Sequence, residues 1–229
     1  MQSSPSNARR SVPRAHRWAG ISALSAFIVF SAANAIWAFE QPAPGSSAAE
    51  LIDFYTDLST RIVVGGLASL FSIAIYVVFS SALRSILAEL EEGELLANAA
   101  FGGMILGLAA GLGAESVNLA AALRADDGEL TEPLALALFD ISYVFGSYAT
   151  GIGFGVATLA IGVAALRSGA LLPRWLGFVS VAIGVTMVTP LAGYALGEYT
   201  VAPAFVLFAV LGMLLLRGAA LTPERRVGT

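Results

Sequence analysis

The chain has 229 residues, 57% of them hydrophobic and only 12% charged, about half the charged share of an ordinary soluble domain. The formal net charge is −4 and all 12 basic residues are arginines, scattered too thinly for a nucleic-acid surface and leaving no lysine for Schiff-base chemistry. With no cysteine and a single histidine, His16, thiolate, iron–sulfur, bis-histidine haem and ordinary zinc sites are excluded. No cofactor or metal is expected, and any chemistry must rest on carboxylates, hydroxyls, amides and arginine.

A membrane-spanning helix needs about 20 mostly apolar residues. A basic tail over 1–17 precedes the first such stretch, Trp18–Phe39. The small residues Ala33-Asn34-Ala35 within it resemble a signal-peptide cleavage site. The apolar run continues through Trp37 to Phe39, so an uncleaved span is expected. The loop that follows bends at Pro42, Pro44 and Gly45, and Ser47 with Glu50 reads as a capping box. Leu51, Tyr55, Leu58 and Ile62 then recur at helical spacing, which predicts a short amphipathic helix over 46–61 lying on the outer surface.

The second and third stretches are Ile62–Leu83 and Ala97–Ala122, joined by an acidic run from Glu89 to Glu94 that reads as a solvated loop. The fourth, Leu134–Leu166, is long enough to tilt. Trp175–Leu196 carries Thr186, Thr189 and Pro190, a pattern for a kink whose freed carbonyl meets a hydroxyl. Val201–Leu216 is short and opens at Pro203, which a helix tolerates in its first turn. The expected fold class is therefore an all-α integral membrane protein: one domain over 18–217 with about six transmembrane helices, ending in a tail over 218–229.

Arginine placement orients the bundle. With the N-terminus in the cytoplasm, the inner side holds Arg9, Arg10, Arg14, Arg17, Arg84, Arg167, Arg174, Arg217, Arg225 and Arg226. The outer side keeps Arg61 and Arg124 alone. Positive charge is retained on the cytoplasmic side, so both termini are expected there. His16, among these arginines, is expected to be solvated.

Leu136-Ala137-Leu138-Phe139-Asp140, a glycine-rich helix and Arg167-Ser168-Gly169-Ala170-Leu171-Leu172-Pro173-Arg174-Trp175-Leu176-Gly177 together resemble the DUF4386 family of uncharacterised six-span bacterial membrane proteins. Arg17-Trp18-Ala19-Gly20-Ile21 and Arg61-Ile62-Val63 fit the same layout. The resemblance implies a multi-pass protein of the bacterial cytoplasmic membrane and supplies no activity. Where the family often carries Asp-x-His, this sequence has Asp140-Ile141-Ser142.

Two ionisable residues fall inside the expected spans, Glu115 and Asp140, both in the outer half, with Asn34 and Asn118 at a similar level. Gly103, Gly107 and Gly111 recur every four residues, as do Ser147, Gly151 and Gly155, and such stripes let helix backbones approach closely. Opposing Gly107 with Gly151 predicts Glu115 beside Tyr143 and Asn118 beside Asp140. Glu115, Asp140, Asn118, Tyr143 and Asn34 thus form the candidate ligand or proton site.

The expected function is binding or transport of a small solute or protons at this carboxylate site, with the lipid bilayer as the surrounding partner. The alternative is a non-transporting subunit or sensor whose polar pairs are structural. Catalysis is less expected, because no nucleophile–base pair accompanies the acids. The orientation is testable in a chain that lacks native cysteine. Cysteines placed at Ser3 and Thr229 should resist an impermeant thiol reagent in intact cells while one at Ser46 reacts; labelling of either terminus from outside would refute it.

Overall fold

The computed structural model describes residues 14–90, 94–169, 172–189 and 201–218. Most of the two tails, the centre of the acidic loop, Ala170, Leu171 and the end of the fifth stretch with Pro190 lie outside these residues. Eight α-helices are described: α1 Arg14–Ala35, α2 Ala48–Asp57, α3 Ser59–Ala88, α4 Leu95–Asp126, α5 Glu132–Tyr143, α6 Thr150–Ser168, α7 Arg174–Val188 and α8 Ala202–Leu216. A π-helical segment, Val144–Ala149, joins α5 to α6, so Glu132–Ser168 is one rod of 37 residues. No strand occurs among the described residues.

Four helical units, α1, α3, α4 and the α5–α6 rod, are long and apolar enough to cross a membrane. The protein is an α-helical membrane protein. Helices α7 and α8 have 15 residues each, about 22 Å of helix against a hydrocarbon core of about 30 Å. The outward surface is apolar, with Ile28, Phe71, Leu106 and Phe178 exposed. Trp18 and Trp175 are 61% and 66% exposed, and both sit beside arginines, where interfacial tryptophans belong.

Helix α1 packs between α8 and α3, α4 between α3 and α6, and α7 lies on α6. The centre is filled by rings: Phe205 and Phe208 of α8 meet Tyr76 and Phe79 of α3 and Phe154 of α6. A second apolar cluster closes one end of the bundle, built from Trp37, Leu51, Tyr55, Leu58, Ile62, Ala121 and Phe139. That end is called the α2 end below; the other, where Arg14 and Gly218 lie, is the tail end. The tail end carries Arg14, Arg17, Arg84, Arg167, Arg174 and Arg217. The α2 end carries Arg61 and Arg124, each paired with a glutamate, Glu40 at 2.9 Å and Glu129 at 2.7 Å.

Helix α2 begins as expected. The Glu50 backbone N–H donates to the Ser47 hydroxyl, and the Ser47 N–H donates to the Glu50 carboxylate at 2.9 Å. The Ser47 backbone bond, with help from the Ser46 and Ser47 hydroxyls, holds the Glu50 carboxyl below its usual range, so the cap is kept above that range and lost as pH falls through it. The helix does more than lie on a surface. Leu51, Phe54 and Tyr55 are buried against α4 and α5, and the chain turns at Leu58 before α3 begins.

The glycine stripe does join α4 to α6, in a register two residues from the expected one. A methyl group at Gly153 would overlap the Gly107 backbone and lie 2.9 Å from the Gly103 carbonyl oxygen; one at Gly103 would lie 2.6 Å from the Ala157 nitrogen. Gly107 therefore opposes Gly153, not Gly151. Gly155 faces α7 instead, against Met187 and Val188, and Gly162 meets Val181 and Ser180 there. One helix thus carries two glycine faces, and α1 meets α8 through a third contact, Gly20 on Gly212. Such close approach is what drives helix association in lipid, where apolar side chains gain little by leaving the solvent.

At the helix ends, Gly169 adopts φ +65° as the left-handed cap of α6, and Pro173 is the N-cap residue just before α7. The Thr189 hydroxyl donates to the Thr186 carbonyl at 2.7 Å, the carbonyl that Pro190, lacking an N–H, leaves without a helical donor. Helix α7 ends there at Val188.

These contacts rank substitutions. Gly153→Ala should destabilise the protein by about 1–3 kcal/mol through overpacking. Gly102→Ala, with nothing within 4 Å of the added carbon, should be neutral or stabilise α4 by up to about 1 kcal/mol. Thermal melting in detergent compares the two; equal effects would deny the α4–α6 seam its special status.

Candidate functional site

Helix α4 carries two polar residues that neither lipid nor an apolar core would retain without partners. Asn118 is 6% exposed, and its Oδ1 accepts from the Tyr55 hydroxyl of α2 at 3.0 Å and from the Ser142 hydroxyl of α5 at 2.9 Å. An amide oxygen has two lone pairs, and both are used. This trio ties the surface helix to two long ones.

Glu115, 8% exposed, lies one turn deeper. Ser69 of α3 interacts with its carboxyl, and the Asn34 amide of α1 donates to the Ser69 hydroxyl at 3.5 Å and to the Phe30 carbonyl at 2.9 Å. The other carboxyl oxygen, Oε2, is buried with no hydrogen-bond partner among the described residues. The first trio is closed; the second has an open end.

Glu115 is also one of the residues around a cavity of about 130 Å³, room for on the order of four waters. Glu115, Asn34, Asn118 and Tyr143 all line it. The wall on the other side is the π-helical segment, with Gly146 and Ser147, and its flanks, Ser142 of α5 and Thr150 of α6. There the Thr150 hydroxyl donates to the Phe145 carbonyl at 2.8 Å. Tyr76, 0% exposed, also lines the cavity, and its hydroxyl has no partner among the described residues. A methyl group at Gly111 would meet nothing closer than 3.8 Å, so this glycine opens space rather than closing a seam. The cavity lies between the central ring cluster and the cluster at the α2 end.

Four of the five expected site residues meet here, and Asp140 does not. Asp140 is exposed, and Ser142 takes the place beside Asn118 that the glycine alignment assigned to it. A slip of two residues turns a helix by about 200°, enough to carry Asp140 from the interior to the outside. Glu115 likewise meets Ser69 on α3, and it lines the same cavity as Tyr143. Residues four apart drift by about 40° per step, so by Glu115 the stripe has rotated about 80° beyond Gly107, off the α6 seam.

Ser69, Tyr55 and Ser142 were not legible as site residues, because isolated hydroxyls in apolar helices usually bond their own backbone. His16 departs from expectation as well. It is 3% exposed, with neither ring nitrogen partnered among the described residues; it lies on the buried face with Ala19, Gly20 and Ala23.

Asn118→Ala would strand two buried hydroxyls, whereas Tyr55→Phe or Ser142→Ala removes one bond and leaves Asn118 a remaining donor. Melting should show Asn118→Ala as the most harmful, at about 1–3 kcal/mol, with each single-bond loss nearer 0.6 kcal/mol. Equal losses for all three variants would mean the bonds are not shared through Asn118.

Set against protein-family models, curated proteins and solved structures, the chain gives no match in any of the three comparisons.

Proposed function

We propose that this protein spans the bacterial cytoplasmic membrane six times, with both termini cytoplasmic, and binds a small solute or protons in the Glu115 cavity, from the side where α2 lies. The six-span reading is supported by the even layout of the helices: α1 starts and α8 ends at one end of the bundle, where Gly20 meets Gly212 and Leu216. The sequence also stays largely apolar after α7 as far as Leu196. The orientation is supported by the six arginines at the tail end, one of which, Arg84, pairs with Glu94, against two at the α2 end that are both in ion pairs. The resemblance to the DUF4386 family fits the same topology.

One observation carries the binding role: Glu115, a buried acid with one carboxyl oxygen unpartnered among the described residues, is among the residues that line a cavity large enough for several waters. Orphaned polar atoms in a low-dielectric interior cost free energy that only a ligand, water or proton offsets. The closed trio at Asn118 has no such deficit, and it serves as structural glue. Intramembrane acids facing a bundle interior are how membrane proteins move protons and charged solutes.

Access to the cavity can be measured without knowing the solute. Ser147→Cys places a thiol in the cavity wall, and Ser180→Cys places one at a buried position outside it. In the membrane-embedded protein, the small neutral reagent methyl methanethiosulfonate should modify the first readily and the second only as slowly as the bundle opens. Equal protection of both thiols would mean a sealed cavity and would remove the binding role.

A further inference from the structure

We propose that the cavity selects small organic cations, of the size and kind of a short branched alkylammonium. This rests on the cavity being a solute site, and it names the class of solute. Three features of the wall point the same way.

The first is charge. Among the described residues that line the cavity, Glu115 is the one formally charged side chain, and no arginine or histidine is among them. An anion would be placed against a carboxylate with no cation to offset it. Asp140, the other acid at this depth in the chain, is on the exposed side and takes no part.

The second is the lack of a donor. The orphan Oε2 has none among the described residues; the Tyr76 hydroxyl and the Trp37 indole N–H, on residues that also line the cavity, are unpartnered but do not reach it, and other donors are committed. The Asn34 amide is used on the Phe30 carbonyl and Ser69, the Ser142 hydroxyl on Asn118, and the Thr150 hydroxyl on Phe145. An ammonium N–H supplies a donor and a counter-charge together, and charge-assisted bonds are about twice as strong as neutral ones.

The third is the aromatic lining. Phe30, Trp37, Tyr76, Tyr143, Phe154 and Phe205 all border the cavity, with Phe30 stacked on Phe205 at 4.4 Å and Phe154 edge-on to Phe205 at 5.1 Å. Aromatic walls attract cations through the ring quadrupole while accommodating their alkyl groups, the usual means of recognising substituted ammonium ions. One carboxylate within an aromatic box is a cation site.

A proton and an organic cation are alternative counter-charges for the same carboxylate, so the two compete. Among the described residues, the other titratable groups that line the cavity are Tyr76 and Tyr143, phenols with an ordinary value far above physiological pH. The competition therefore falls on Glu115: cation binding weakens as pH is lowered and strengthens as it is raised.

The test is ligand protection of the Ser147→Cys thiol in the full-length protein in liposomes, with methyl methanethiosulfonate as the reagent. tert-Butylammonium and tert-butanol share a shape and both donate a hydrogen bond, and only the first is charged. tert-Butylammonium should protect at about tenfold lower concentration than tert-butanol, a preference of about 1.4 kcal/mol. Lowering the pH should erode protection by the cation and leave that by the alcohol unchanged. Glu115→Gln should abolish the preference; if that variant does not fold, the charge and pH comparisons in the Glu115 background still decide. Equal protection by the two probes, or better protection by the alcohol or by pivalate, would overturn the cation assignment while leaving a solute cavity in place. A reactive thiol that none of the probes protects would overturn it as well. An unreactive thiol would remove the cavity reading and this inference with it.

Discussion

Everything distinctive about the interior follows from how closely α4 and α6 approach. At Gly107 and Gly153 the two backbones touch with no side chain between them, and a contact that tight admits one register. Once Gly107 opposes Gly153, antiparallel packing brings Gly103 to Ala157, Ala114 to Gly146 and Asn118 to Ser142. The hydrogen bonds at the α2 end are consequences of that contact. So is the cavity. The α4 stripe drifts off the seam as it climbs, and beyond Gly107 it turns toward α3 with no partner helix filling the angle it leaves.

The two polar clusters on α4 illustrate how one helix can hold a lock and a site a single turn apart. Asn118 is neutral and short, and its oxygen is saturated by two hydroxyls from different helices. Such a group adds specificity to packing at small cost. Glu115 has a longer side chain and a carboxyl with more acceptor capacity than its neighbours fill. The difference lies in the count of donors rather than in depth, since both residues are almost fully buried.

The helical class, the approximate limits of the four long helical units, the Ser47–Glu50 cap, the Gly169 and Pro173 turn and Glu115 as an acid within an apolar helix were all legible in the sequence. Each depends on local rules: apolar length, capping chemistry, left-handed glycine, charge in an apolar run. The register was not legible, because a stripe with period four can be opposed to its partner at any of several offsets that look equally good on paper. Gly151, Gly153 and Gly155 offer three such choices within one turn. Only the surrounding helices decide, since α7 occupies the face of α6 that holds Gly155. The misplacement of Asp140 followed directly from choosing the wrong one. The π-helical segment was invisible for a different reason: Val144-Phe145-Gly146-Ser147-Tyr148-Ala149 is rich in weak helix formers, but glycine and such residues are common in ordinary membrane helices too.

That segment has a consequence for how this protein can change over time. A π-helical turn carries an extra residue within an otherwise continuous helix, so it is a place where a span absorbs a one-residue insertion or deletion without losing its ends. Removing one residue from it would leave α6 on its glycine seams and turn the whole of α5 by about 100°. Ser142 would leave Asn118, and a different side chain would swing into the wall beside Glu115. Lineages descended from a chain like this one have a way to remodel one wall of the cavity in a single step while the opposite wall, on α4, stays fixed. Substitution would need several coordinated changes to reach the same end.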